Sequence, residues 1–403
     1  MTDKQVRPPC YVLGIETQIG LSLVRELGEA GVPVIGIATG DKAIGLQSRY
    51  LAHGEILKKP RTDAGLAELR AIGERYGAGY LLTVSEANTT WLIENRDRLG
   101  VITPLLPSKD AFAIVLDKGR TLEAAGAVGI DVPKSASPAT WADVERVAAS
   151  FPFPAVLKWS DPNGVAPALH AAGIELVKAE YVYTPDEFLR AAARYRPVEM
   201  WPLVQEYCPG VGLGQFFFMH QGKAVRRFQH LRVAEWPPEG GFSSVCDGVP
   251  LDQFKDLQEK SIRLLQSIGW EGVAMVEYRY DPASGRAVLM EVNGRFWGSF
   301  PLAMYSGAGF GLLAYSLQGQ GVMPSLPALR ENLRCRMVAT EIKRLRRILL
   351  QPGLIRDRTF RVRPVHEVLR FVGDFLRPSV CYYVWNPKDV KPFIRDVRNA
   401  IGV

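Results

Sequence analysis

The chain has 403 residues, 47% hydrophobic and 23% charged, with a formal charge of +7. A chain of this length calls for two or three structural units rather than one core. No apolar run reaches the roughly 18–20 residues that span a bilayer, the N-terminus lacks the apolar stretch of a secretory leader, and Cys10, Cys208, Cys246, Cys335 and Cys381 have no zinc-like spacing, so a cytoplasmic protein with reduced thiols is expected.

In chain order, residues 10–15 read as a short apolar strand, 21–30 as a helix ending at Gly31, and 32–37 as a second strand, the βαβ alternation of a doubly wound sheet. The glycines do not follow G-x-G-x-x-G, which argues against a dinucleotide site. A second alternation places a helix at 66–76, a strand at 80–83 and a helix at 89–98, with Ser85 as a helix cap at the ligand-binding end of the strand. Pro104 and Pro107 mark a boundary.

Beyond it, 109–125 reads as one helix containing Lys118, and 153–158 as an apolar strand with Lys158 at its end, where an ammonium can meet a phosphate. Residues 161–173 read as a polar connecting loop, 178–183 as a short strand, and 185–196 as a helix capped by Thr184. The strand 203–208 runs into Pro209-Gly210-Val211-Gly212-Leu213-Gly214, and such an edge presents backbone groups to a flat base. A hairpin over 216–230 follows, leading to His230 and Arg232, an alternating pair suited to an anion, although a lone histidine is more often a satisfied structural residue. Residues 257–268 are an amphipathic helix.

Residues 272–300 carry the most chemistry. Strands 273–280 and 287–293, joined by Asp281-Pro282-Ala283-Ser284-Gly285, put Glu277 with Arg279 on one face and Glu291 with Asn293 on one face. If Tyr280 pairs with Arg286, Glu277 lies diagonally across from Glu291. Two carboxylates and an amide oxygen among Val, Met and Leu suit Mg2+ and a phosphate, and Arg295 can hold a phosphate or carboxylate bidentately. The tail, residues 330–403, has 17 Lys/Arg against 7 Asp/Glu. Its apolar residues from Val365 to Leu376 have helical spacing. Two readings stand: a helix packed on the body, or contact with an anionic membrane surface or a partner. Nucleic acid is not expected, since no recognition module accompanies the charge.

The ordered landmarks Asp117-Lys118 before a helix ending GIDVP, FPAVLK, LVQEYCPGVG, GGFS, VEYRYD and LMEVNGR resemble the ATP-grasp superfamily, in particular its carboxylate–amine ligase branch. The resemblance implies an α/β chain: an N-terminal Rossmann-like (pre-ATP-grasp) domain (1–107), a two-lobed α+β ATP-grasp domain (108–200 and 201–325), and a basic helical C-terminal extension (326–403). It implies ATP and Mg2+, with Mn2+ as a substitute. Lys118 and Lys158 would meet the nucleotide phosphates, Gln205, Glu206, Tyr207 and Cys208 would form the adenine hinge, and Glu277, Glu291 and Asn293 would ligate the metal. Arg295 and, less closely matched, Arg232 would act on the substrate or transferred phosphate. The implied activity joins a small-molecule carboxylate to an amine through an acyl phosphate, in a monomer or homodimer. The alternative is an ATP-binding sensor or assembly partner without turnover. The chain departs from the family's pattern where relatives carry an acidic ribose contact, having Gln215 or its neighbours instead, and where the 161–173 segment is short of glycine for a phosphate cover.

Overall fold

The computed structural model describes residues 7–159, 162–177 and 179–402. Its N-terminal unit is a five-stranded parallel sheet of β1 (Cys10–Leu13), β2 (Val34–Ala38), β3 (His53–Ile56), β4 (Gly79–Thr83) and β5 (Ile102–Pro104), in the order β3-β2-β1-β4-β5. Helices α1 (Gln18–Glu29), α2 (Asp63–Tyr76) and α3 (Glu86–Glu94) connect the strands, as parallel neighbours require. The alternation at β1, α1, β2, α2, β4 and α3 was legible. The short strands β3 and β5 were not, because three or four residues carry too little pattern. Ser85 caps α3 by accepting from the Asn88 N–H.

The expected single helix at 109–125 is two helices, α4 (Lys109–Leu116) and α5 (Lys118–Ala127). Asp117 breaks the run: its backbone is extended and its carboxylate accepts from the Arg120 N–H at 3.1 Å, so the second helix starts with a capped N-terminus and Lys118 as its first residue. A four-stranded antiparallel sheet follows, β6 (Ser135–Ala136), β7 (Ala155–Lys158), β8 (Glu180–Val182) and β9 (Leu203–Glu206), in the order β6-β9-β7-β8. It is accompanied by α6 (Trp141–Ser150), α7 (Pro162–Ala171) and α8 (Pro185–Ala193). The expected loop over 161–173 is thus largely helical, its Ala, Val and Leu outweighing Pro167; its first residue, Asp161, and the first residue of the expected strand, Lys178, lie outside the described residues.

The third sheet has seven strands: β10 (Val211–His220), β11 (Lys223–Trp236), β12 (Phe242–Gly248), β13 (Gly272–Tyr280), β14 (Ala287–Asn293), β15 (Arg334–Arg336) and β16 (Val380–Tyr382), in the order β14-β13-β10-β11-β12-β15-β16. One face, with Leu213, Phe217, Val276, Tyr278 and Leu289, packs on α4, α5 and α9 (Lys255–Ser267). The opposite face changes character along β10. Phe216 and Phe218 are closed over by Trp297 and Phe300, the latter opening α10 (Phe300–Tyr305), together with residues of α1 and α11 (Phe310–Leu313). Gly212 and Gly214, earlier on the same face, adjoin the cleft described below.

The C-terminal segment, expected to be a helical extension, also supplies strands. β15 pairs antiparallel with β12 and β16 parallel with β15, while α12 (Val338–Leu350) packs against β11, β12 and α13 (Pro364–Gly373) and α14 (Lys391–Ile401) lies by the N-terminal unit. Several of the segment's basic residues are held in ion pairs. Arg336 pairs with Glu341 at 2.5 Å, both buried, and Arg334 holds Asp247 and Asp374, each at 2.7 Å. Arg25 of α1, also buried, grips Asp389 at 3.0 Å and the Val384 carbonyl at 2.9 Å, so the first and last units are fastened by charge-assisted bonds.

Candidate active site

Between the four-stranded sheet and the glycine-bearing face of the seven-stranded sheet lies a cleft of about 1090 Å³. Lys118, Lys158, Gln205, Glu206, Tyr207, Cys208, Arg232, Glu277 and Glu291 all line it, although they come from seven different elements or connections. Lys158 emerges from β7 and donates to the Gln205 Oε1 at 3.0 Å. Burial, and then the positive charge of Lys118, lowers the Lys158 pKa, so an anion placed between the two lysines relieves both penalties.

The hinge after β9 is tightly held. The Glu206 N–H bonds the Lys134 carbonyl at 2.8 Å and the Tyr207 N–H bonds that of Pro154 at 3.2 Å. The Glu206 carboxylate is engaged by Arg286 at 2.7 Å and the Lys134 N–H at 3.0 Å. The Tyr207 hydroxyl donates to Asp357 at 2.8 Å, bringing the C-terminal segment to the rim. Burial pushes the Cys208 thiol up to about 11, so it is a packing thiol rather than a nucleophile. Gln215 points away from the cleft into a buried network with Gln229 and Ser261, and no ribose contact is offered there.

The acidic pair is closer than the expected register made it. Tyr280 faces Ala287, and a bulge between Glu277 and Tyr278 sets Glu277 directly opposite Glu291. Asn293, nearly buried, donates to the Glu291 Oε1 at 2.9 Å. Glu277 is also bound by Arg232 at 2.6 Å. Its pKa is raised, first by burial and further by the Glu291 charge, with Arg232 opposing. Two facing carboxylates and an amide form a hard oxygen set that a divalent cation suits. Among the described residues no group of three His, Cys, Asp or Glu gathers for a metal, so such an ion would take its remaining ligands from water and phosphate.

Arg232 lies over Gly212, whose absent Cβ would sit 2.4 Å from the Arg232 Cδ, and the His230 ring fills the space over Gly214. The two glycines let β11 side chains lean across β10 toward Glu277. His230 is not an anion contact: it is fully buried, stacks on Phe216 with centroids 4.9 Å apart, and burial keeps its pKa well below the ordinary value. Gly214→Ala puts a methyl 2.6 Å from the His230 Nε2 and the Phe216 Cζ and is expected to cost about 1–3 kcal/mol by overpacking, read as a shift in the urea midpoint; an unshifted midpoint would disprove the contact.

Arg295 does not line the cleft. Its Nε bonds the Glu86 carboxylate at 3.1 Å, and it borders a separate, water-sized cavity with Thr83, Thr89 and Gly294 near the carboxyl end of β4. The sequence reading missed Glu235, which bonds Arg232 at 3.1 Å and Arg279 at 3.0 Å. Register shifts on either side of Ala234 bring Glu235 to the side of Arg232 despite the odd spacing. Nothing in the residue pattern announces those bulges.

The molecule thus has a sheet-roofed cleft with two lysines, a fixed hinge and a facing acidic pair. Residues 246–318 match the family described as the carbamoyl-phosphate synthase L chain, ATP binding domain. The D-alanine–D-alanine ligase of Ectopseudomonas mendocina (strain ymp) is 28% identical over 197 residues, 45% of this chain and 56% of the relative, so the match spans about half of that protein's length. The Campylobacter jejuni biotin carboxylase complex with β-γ-ATP superposes with a TM-score of 0.61 at 15% identity, over 81% of this chain and 74% of that one. An L-amino acid ligase from Bacillus licheniformis gives 0.56 at 15% identity, over 78% and 74%. In sequence over residues 246–318 and in fold over most of its length, the chain is similar to ATP-grasp proteins of the carboxylate–amine ligase kind.

Proposed function

We propose that the chain is an ATP-dependent, ADP-forming ligase that joins a small-molecule carboxylate to an amine. The observation that carries this reading is the convergence of Lys118, Lys158, the 205–208 hinge and the facing Glu277 and Glu291 on one cleft. In it, adenine rests at the hinge among Tyr181, Val156 and Met290, and its polyphosphate runs between the two lysines toward the acidic pair. The substrate carboxylate oxygen attacks the γ-phosphorus, the bond to the β-phosphate oxygen breaks, and ADP leaves an acyl phosphate. The amine nitrogen then attacks the acyl carbon, gives up a proton, and inorganic phosphate departs. Phosphoryl transfer of this kind rests on positioning and charge neutralisation.

Glu277, Glu291 and Asn293 would hold Mg2+, which supplies positive charge to the phosphate oxygens when bound. Lys158 and Lys118 steady the phosphate chain, and Arg232 adds a donor once Glu277 turns to the cation. Arg295, which stands outside the cleft on Glu86, takes no step in this reading. Purified chain incubated with ATP, Mg2+ and a panel of amino acids and amines is expected to release ADP and phosphate only when an acid and an amine are both present. The Arg232–Glu277 ion pair favours one competing reading, an ATP-binding protein without turnover, and nucleotide binding with no acceptor-dependent ADP release would establish it instead.

A further inference from the structure

Between residues 338 and 377 the acidic side chains are turned inward. Glu341 pairs with Arg336 and Arg370, Glu367 with Arg344 and Arg370, and Asp374 with Arg334 and Arg370. Asp357 accepts from the hydroxyls of Tyr183, Tyr207 and Thr359. The charged side chains left exposed and without an acidic partner are all basic: Lys343, Arg346, Arg356, Arg361, Arg363 and Arg377. The same stretch carries a concentration of uncovered apolar side chains. Val365, Leu369, Val372 and Leu376, on α13 and the turn after it, are 73, 66, 55 and 85% exposed. Their spacing of four, three and four residues makes one stripe. On α12, which packs against α13, Ile342, Leu349 and Leu350 are exposed as well.

We propose that this face docks on an anionic lipid bilayer, with α13 lying in the interface and its stripe among the headgroups and first acyl carbons. An apolar stripe of this kind marks an interaction surface. The uniform sign of the exposed, unpaired charge along this stretch selects the occupant: a second copy would bring like charges together, whereas an anionic leaflet attracts each basic residue near it. No helix among the described residues is long and apolar enough to cross a membrane, so the contact is peripheral. The face is built from the C-terminal segment and uses none of the cleft residues.

The test is flotation of the full chain with vesicles of equal parts phosphatidylglycerol and phosphatidylcholine, against vesicles of phosphatidylcholine alone. Binding is expected to be at least roughly tenfold stronger to the anionic vesicles and to weaken at about 0.5 M salt. Leu369→Glu with Leu376→Glu, and separately Arg346→Glu with Arg363→Glu, are each expected to lower it by roughly tenfold, with ATP-analogue binding and thermal melting retained as proof of folding. No flotation, equal binding to neutral vesicles, or undiminished binding by either folded double variant would overturn the proposal. So would a dimer in sedimentation that Leu369→Glu dissolves while vesicle binding is absent, because the stripe would then belong to a second copy.

Discussion

Glu291→Ala is expected to lower acceptor-dependent ADP release by roughly 10²–10³-fold, the scale of losing one preorganised electrostatic group at a reacting centre, while the fold survives. The reasoning for survival is electrostatic. Glu291 is partly exposed, and its charge raises the pKa of buried Glu277; deleting it relieves a like-charge conflict, at the loss of a favourable charge near Lys158 and of the acceptor for the Asn293 amide. The thermal midpoint is therefore expected to stay near that of the parent. The sign extends to Glu277, whose carboxyl pKa should fall in the variant. Coupled ADP assays and melting curves on Glu291→Ala and Glu291→Gln check this together. Near-normal turnover in either variant removes the cation from the acidic pair, whereas a large loss of stability assigns Glu291 a structural role.

The largest stability effect is expected at Glu341→Ala. Glu341 and Arg336 are both fully buried, Arg370 adds a second bond to Glu341 at 3.1 Å, and the Arg336 guanidinium lies 4.4 Å from the ring centre of Phe375 and 4.8 Å from that of Phe371. Removing the carboxylate strands a buried positive charge, which costs about 3–5 kcal/mol. Exchanging Arg336 for Met and Glu341 for Leu together removes both charges, keeps Arg370 on Glu367 and Asp374, and is expected to restore most of the loss. Denaturant unfolding of the single and double variants decides it. A cost below about 1 kcal/mol for the single change would mean that water reaches the pair, as at surface ion pairs. A large cost identifies the C-terminal segment as part of the folded body, whose β15 and β16 extend the same sheet that carries Glu277.

The landmarks for the site were well marked along the chain, yet one of the residues assigned from them is placed differently in space. Arg295 follows directly on the acidic strand, and its sequence neighbours point it to the nucleotide; its nearest carboxylate, Glu86, is 209 positions away in the N-terminal unit. His230 alternates onto the face of Arg232, as expected, but Phe216 and Ser299 enclose it, and a buried imidazole beside a guanidinium stays neutral.

The residue order by itself determined the local geometry: the βαβ alternation of the first unit, the caps at Ser85 and Thr184, and the face shared by Glu277 with Arg279 and by Glu291 with Asn293. These follow from periods of two and 3.6 residues and from the few side chains that satisfy helix ends, all confined to neighbours along the chain. Tertiary structure alone decided the direct opposition of Glu277 and Glu291, the arrival of Glu235 beside Arg232, the turn of Arg295 toward Glu86, and the folding of a basic tail into strands and buried ion pairs. Each of these depends on a bulge that shifts register by one residue, or on an opposite charge supplied from a separate element, and neither leaves a periodic trace in the sequence.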